Sequence, residues 1–155
     1  MKEIATIVGS LTASQNNFCM IKEFNEIAKN PKRSVSCFTL QPSPPVIKPM
    51  FSCKNISFIS NFAGKLVATN FSDLAFILDS HTSCDKYFYL WELDFPTDYD
   101  MTCRMLNDKR LKIATRSLDQ KALLENKYNV KVDAIVEDWN RNQLEEFLGV
   151  NNEQN

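Results

Sequence analysis

Residues Ile4-Ala5-Thr6-Ile7-Val8 form a nearly unbroken apolar, β-branched run that stops at Gly9-Ser10. A half-exposed strand would alternate polar and apolar residues. A run apolar at successive positions needs cover on both faces, which is the pattern of a parallel sheet. The next segment supplies cover. Phe18, Ile21, Phe24 and Ile27 recur every third residue, with Lys22, Glu23, Glu26 and Lys29 between them, and the pattern ends before Asn30-Pro31. That is an amphipathic helix with a proline-linked stop.

The same alternation continues along the chain. Val35, Cys37 and Phe38 to Leu40 predict a second strand. Pro42, Pro44, Pro45 and Pro49 forbid a regular helix between Gln41 and Pro49 and favour an extended surface loop. A P-x-x-P ligand motif there lacks a basic partner. Ile56, Phe58 and Ile59 predict a small strand, and Lys65 to Thr69 another, stopping at Asn70. Ser72 reads as the N-cap of a helix carrying Leu74, Ala75, Ile77 and Leu78. The aromatic run Tyr87-Phe88-Tyr89-Leu90-Trp91 predicts a strand. Asp98 to Leu106 predicts a short helix. Leu111, Ile113 and Ala114 follow as a strand, and Ser117-Leu118-Asp119-Gln120 as a capping box opening a helix that stops near Asn129. Val130 to Val136 predicts the last strand. Asn140 caps a final helix that Gly149 ends. The expected fold class is α/β: a Rossmann-like, mostly parallel sheet flanked by helices on both faces. At 155 residues the expected organisation is one domain, 1–150, with a polar disordered tail, 151–155.

Composition removes several functions. Lys+Arg is 18 and Asp+Glu 19, a formal net charge of −1. Such a chain lacks the broad positive field of non-specific nucleic-acid binders, and the cluster Lys109-Arg110, Lys112, Arg116 is offset by Asp108 and Asp119. Only 3 glycines occur, so neither a phosphate loop nor the dinucleotide fingerprint is present, and Gly9-Ser10-Leu11-Thr12 holds one glycine where several are needed. Five widely spaced cysteines, no C-x-x-C pair and a single histidine, His81, argue against a metal site. Cys19 and Cys37 read as small buried hydrophobes in a reducing compartment. His81, in a polar helix exit, fits a helix C-terminus better than a catalytic triad. No cofactor is expected. No signal peptide or membrane helix is legible, so a cytoplasmic protein is expected.

In an open parallel sheet, ligands bind beyond the carboxyl ends of the strands. That rule selects Gly9, Ser10, Asn70, Trp91, Glu92, Asp94, Arg116, Ser117 and Glu137 as ligand-binding candidates; Asp138 follows Glu137. The indole of Trp91 beside Glu92 and Asp94 suits a sugar ring or a base; equally, Trp91 and Leu93 close the core while the carboxylates stay solvated. Arg116 suits a phosphate or carboxylate, with backbone donors behind Ser117, or a surface ion pair. Glu137 and Asp138 suit an acid/base pair or the start of the next helix. No catalytic residue is assigned.

The second half of the chain resembles a known family. Lys65-Leu66-Val67-Ala68-Thr69-Asn70 with its helix, Tyr87 to Phe95, Leu111 to Ser117, Leu124-Glu125-Asn126 and Val132 to Asn140 look like the N-terminal half of bacteriophage glycosyltransferases built from two facing Rossmann-like domains. The whole chain also looks like a small conserved protein of T-even-type phages, which would place it in the host cytoplasm. In such enzymes the nucleotide-sugar sits mainly on the second domain. At 155 residues no such domain is expected here. The resemblance therefore implies an acceptor-side module that binds a protein partner, a second copy or a sugar- or nucleotide-like ligand, without complete catalysis of its own. The alternatives are a small enzyme using Glu92, Asp94, Arg116 and Glu137 in one crevice, and an accessory protein that binds a host protein.

Overall fold

The computed structural model describes residues 2–80 and 82–150. The expectations for His81 and for the tail 151–155 fall outside the described residues. Strand β1 (Ile4–Val8) leads through helix α1 (Gln15–Ala28) to β2 (Val35–Thr39), then β3 (Ser52–Asn55), a 3-10 helix (Ile56–Asn61), β4 (Lys65–Ala68), α2 (Phe71–Asp79), β5 (Asp85–Leu90), α3 (Tyr99–Leu106), β6 (Leu111–Thr115), α4 (Leu118–Tyr128), β7 (Ala134–Ile135) and α5 (Arg141–Phe147). The strands form one sheet in the order β3-β2-β1-β4-β5-β6-β7. Every neighbouring pair is parallel. The architecture is Rossmann-like, and strand order reverses between β1 and β4.

Side-chain alternation divides the core. On one face Ile4, Val8, Cys37, Val67, Tyr87, Tyr89 and Trp91 pack with Met20, Phe24 and Ile27 of α1 and with Leu144 and Phe147 of α5. On the other, Ala5, Ile7, Phe38, Leu66, Phe88, Leu90 and Ile113 pack with residues of the 3-10 helix, α2, α3 and α4. The continuous apolar run of β1 is thus explained residue by residue: its odd and even positions serve different cores. The proline-rich loop replaces a crossover helix between β2 and β3. Val46, Ile47 and Phe51 pack against the first core. The loop is tied to Leu11 by Ser43 Oγ and Val46 N, and to Asn25 by Lys48 O and Met50 N.

Four local expectations are corrected. Ile56, Phe58 and Ile59 lie in the 3-10 helix, not a strand: Asn55 turns the chain by accepting from Ser57 N, and the polar segment Ser52–Asn55 makes the edge strand instead. The N-cap of α2 is Asn70 rather than Ser72, because the Asn70 side chain accepts from Asp73 N at 2.8 Å. The last strand shrinks to Ala134–Ile135: the Asp133 carboxylate, not a backbone carbonyl, accepts from Ile113 N at 2.9 Å, so the regular ladder starts only after it. Ser117 caps α4, but Gln120 Oε1 accepts from Arg116 N, one residue before the cap, instead of closing the box on Ser117.

Candidate functional site

All strands run the same way, so their carboxyl ends meet on one rim. There the reversal between β1 and β4 leaves a depression of about 620 Å³. The chains leaving β1 and β2 must diverge from those leaving β4 and β5, since their crossovers go to opposite faces. The gap follows from topology. Gly9, Leu40, Asn70, Asp73, Glu92, Asp94, Phe95, Met101 and Met105 line it with neighbouring residues of α2.

Four of the nine sequence-selected residues, Gly9, Asn70, Glu92 and Asp94, share this depression. Gly9 leaves it open: a Cβ added there would meet nothing within 4 Å. Asn70 is held by its capping role, with Nδ2 donating to Asp73 Oδ2 at 2.7 Å. Asp73 is the acidic residue that sequence reasoning passed over. Its signal was the Asn-x-x-Asp spacing at the first turn of α2, masked by the assignment of the cap to Ser72. Burial pushes the Asp73 carboxyl above the usual range, and the hydrogen bond from Asn70 only partly offsets this. Phe71, Phe95, Met101 and Met105 give the depression apolar walls. Phe95 stacks on Tyr128 at 5.5 Å and is fixed thereby. The result is an open cleft with acceptors from Asn70, Asp73, Glu92 and Asp94 beside flat and flexible apolar side chains. Such a surface suits a ligand with hydroxyl donors and an apolar ring face.

The remaining candidates lie elsewhere. Trp91 alternates with Glu92, so it points to the opposite face of the sheet. It is 5% exposed, edge-on to Tyr89 at 6.0 Å, and covered by the Arg116 guanidinium 3.7 Å from its ring centroid. Trp91 therefore closes the core under Arg116. Arg116 Nη2 also donates to Asp138 at 2.7 Å, the ion pair that was one of its two sequence readings. Asp138 and Trp139 hold positive φ values of 43° and 63°. The buried Tyr89 hydroxyl pins this turn by donating to Val136 O at 2.5 Å and accepting from Trp139 N at 3.3 Å. Cys19 faces the group; burial raises its thiol pKa, so it is no activated nucleophile. Ser10 Oγ pairs with Thr12 Oγ1 at 2.8 Å, Ser117 is spent on capping, and Glu137 is exposed with its backbone N donating to Gln143. The carboxyl rim thus carries two separate groups, one on each side of the sheet.

No relative decides between these groups. No protein-family model, no curated protein and no solved structure matches the chain. Among the described residues no cluster of His, Cys, Asp and Glu has the geometry to hold a metal ion, and no helix is long and apolar enough to cross a membrane.

Proposed function

We propose that this chain is a glycosyltransferase-like binding module that takes a sugar- or nucleotide-like ligand in the depression at the β1/β4 reversal, without complete catalysis of its own. The observation that carries the reading is the convergence of Asn70, Asp73, Glu92 and Asp94 on one cleft with Phe71, Phe95 and two methionines. Carboxylates accept from sugar hydroxyls, and the apolar wall receives a ring face. Binding is favoured over complete catalysis because Arg116 and Glu137, which the enzyme reading needs beside Glu92 and Asp94, do not line the cleft. The pattern resemblance to the acceptor-side half of phage glycosyltransferases points the same way.

A protein partner at the same rim is the second reading. It rests on Leu40 and Met101, large apolar side chains that stay exposed where they line the cleft.

Titration with a free hexose, a nucleoside, its 5′-monophosphate and a nucleoside-diphosphate hexose, followed by backbone amide shifts, tests the ligand reading. Saturable shifts at Asn70 to Asp73 and Glu92 to Phe95, weakened in Glu92→Gln, support it. Silence across the panel overturns it and leaves the partner reading.

A further inference from the structure

Cys37 of β2 and Cys53 of β3 are register partners in a parallel pair. Residues paired in register project from the same face of a sheet, on strands about 4.8 Å apart. That spacing lies inside the Cα separation that a disulfide spans. Both cysteines are free, and their thiols are close enough to interact.

The two differ in access. Cys37 is fully buried in the first core, whereas Cys53 is exposed. Burial, with the Cys53 thiol beside it, pushes the Cys37 thiol up and keeps it protonated. A reagent arriving from solvent therefore meets Cys53 first, with a second thiol held directly behind it. The place in the sheet matters as well. β3 is an edge strand, paired with β2 alone, while β2 is fixed between β1 and β3. Bringing the two Cβ atoms from the strand spacing to the roughly 3.8 Å of a disulfide needs a small inward shift, and an edge strand bonded on one side supplies it. The strain of that shift makes the bond easier to reduce, which suits a reversible link. The link also closes the loop that holds Pro42, Pro44, Pro45 and Pro49.

We propose that Cys37 and Cys53 form a reversible thiol-modification site: a low-molecular-weight disulfide reacts at Cys53, and Cys37 resolves the adduct into an internal disulfide that staples β3 to β2. In the first step the Cys53 thiolate attacks one sulfur of the reagent. A bond forms between them, the reagent's S–S bond breaks, and the leaving thiolate takes up the proton that Cys53 gave to solvent. In the second step the Cys37 sulfur attacks the Cys53 sulfur, and the second thiolate leaves with the Cys37 proton. The cysteine pair is oxidised by two electrons, and the reagent is reduced to two thiols. The site is independent of the cleft at the carboxyl rim.

The test treats the full chain with glutathione disulfide and follows it by intact mass, peptide mapping and melting temperature. The expected product has lost two hydrogens, carries a Cys37–Cys53 link, and melts higher by roughly 5–10 °C, the effect of closing a loop of this size. Dithiothreitol should reverse both changes, and amide shifts should centre on β2, β3 and the loop between them. Cys53→Ser should abolish the link and the rise in melting temperature. Cys37→Ala should stop at a glutathione adduct on Cys53. Cys19→Ser and Cys103→Ser, the controls, should still form the link. A glutathione adduct that persists on Cys53 in the parent, a disulfide between two chains through Cys53, a link that survives Cys53→Ser, or a link that leaves the melting temperature unchanged would each overturn the proposal.

Discussion

The guanidinium of Arg116 lies over Trp91, 3.7 Å from its ring centroid, while Nη2 holds Asp138 at 2.7 Å. One side chain thereby seals the first core at the carboxyl rim and ties the end of β6 to the strained turn after β7. A planar, delocalised cation does both; an ammonium does not. Arg116→Ala should cost about 1–2 kcal/mol. It should also shift the Trp91 emission to the red, against the fully buried Trp139 as internal reference. Arg116→Lys should recover less than half of the loss in urea unfolding.

The Tyr89 hydroxyl satisfies two buried backbone groups of the turn that carries Asp138 and Trp139 at positive φ. Tyr89→Phe leaves both without partners. The expected cost is about 2 kcal/mol in denaturant unfolding, with faster hydrogen exchange at Trp139. A loss below about 0.5 kcal/mol would mean that the turn does not depend on the hydroxyl.

Glycines 64 and 9 should respond oppositely to a methyl group. A Cβ at Gly64 would overlap the Glu3 carbonyl oxygen and lie 2.5 Å from Phe62 Cζ. The backbone cannot yield, since Glu3 O accepts from Lys65 N and Gly64 O from Asp85 N, locking β1, β4 and β5 together. Gly64→Ala should cost more than about 2 kcal/mol. Gly9→Ala should change stability by less than about 0.5 kcal/mol while narrowing the carboxyl-rim cleft. Thermal unfolding of the two variants checks both statements.

Two aspartates predict opposite pH behaviour. Hydrogen bonds from Arg110 lower the Asp108 pKa to about 2. A depressed acid contributes stability that is present above its unfolded pKa and lost as pH falls through the folded value. Arg110 is more than half exposed, so solvent limits this contribution to about 1 kcal/mol, lost between pH about 4 and about 2, and Asp108→Asn should lack it. Asp73 is raised by burial, so it destabilises the fold once ionised. Asp73→Asn should therefore gain stability relative to the parent as pH rises above the carboxylate range. Urea midpoints against pH separate the two signs.

The parallel sheet was legible because its cause is local. Ile4 to Val8 cannot be apolar at every position without two covered faces, and the helical stripes of α1 and α2 supply the cover. The short β7 was not legible, since Val130 and Val132 look like strand residues, and only the folded chain shows the Asp133 carboxylate occupying a ladder position. The cap of α2 was misplaced by two residues because Asn70 and Ser72 are both good caps, and the choice rests on where β4 stops. At the site, the rim rule selects Gly9, Asn70, Glu92 and Asp94, which line one cleft. It could not separate Trp91 from Glu92, because opposite pointing of consecutive residues divides them only when the strand's exact end is known. Asp73, Met101 and Met105 come from helices that the rule does not consider.

The measurement that bears most directly on the carboxyl-rim cleft is amide-shift mapping of a nucleoside-diphosphate hexose in the parent chain and in Asp94→Asn. The account predicts saturable shifts centred on Gly9, Asn70 to Asp73 and Glu92 to Phe95, with affinity reduced in the variant by roughly tenfold. Shifts centred on Arg116 and Asp138, or none at any concentration, would contradict it.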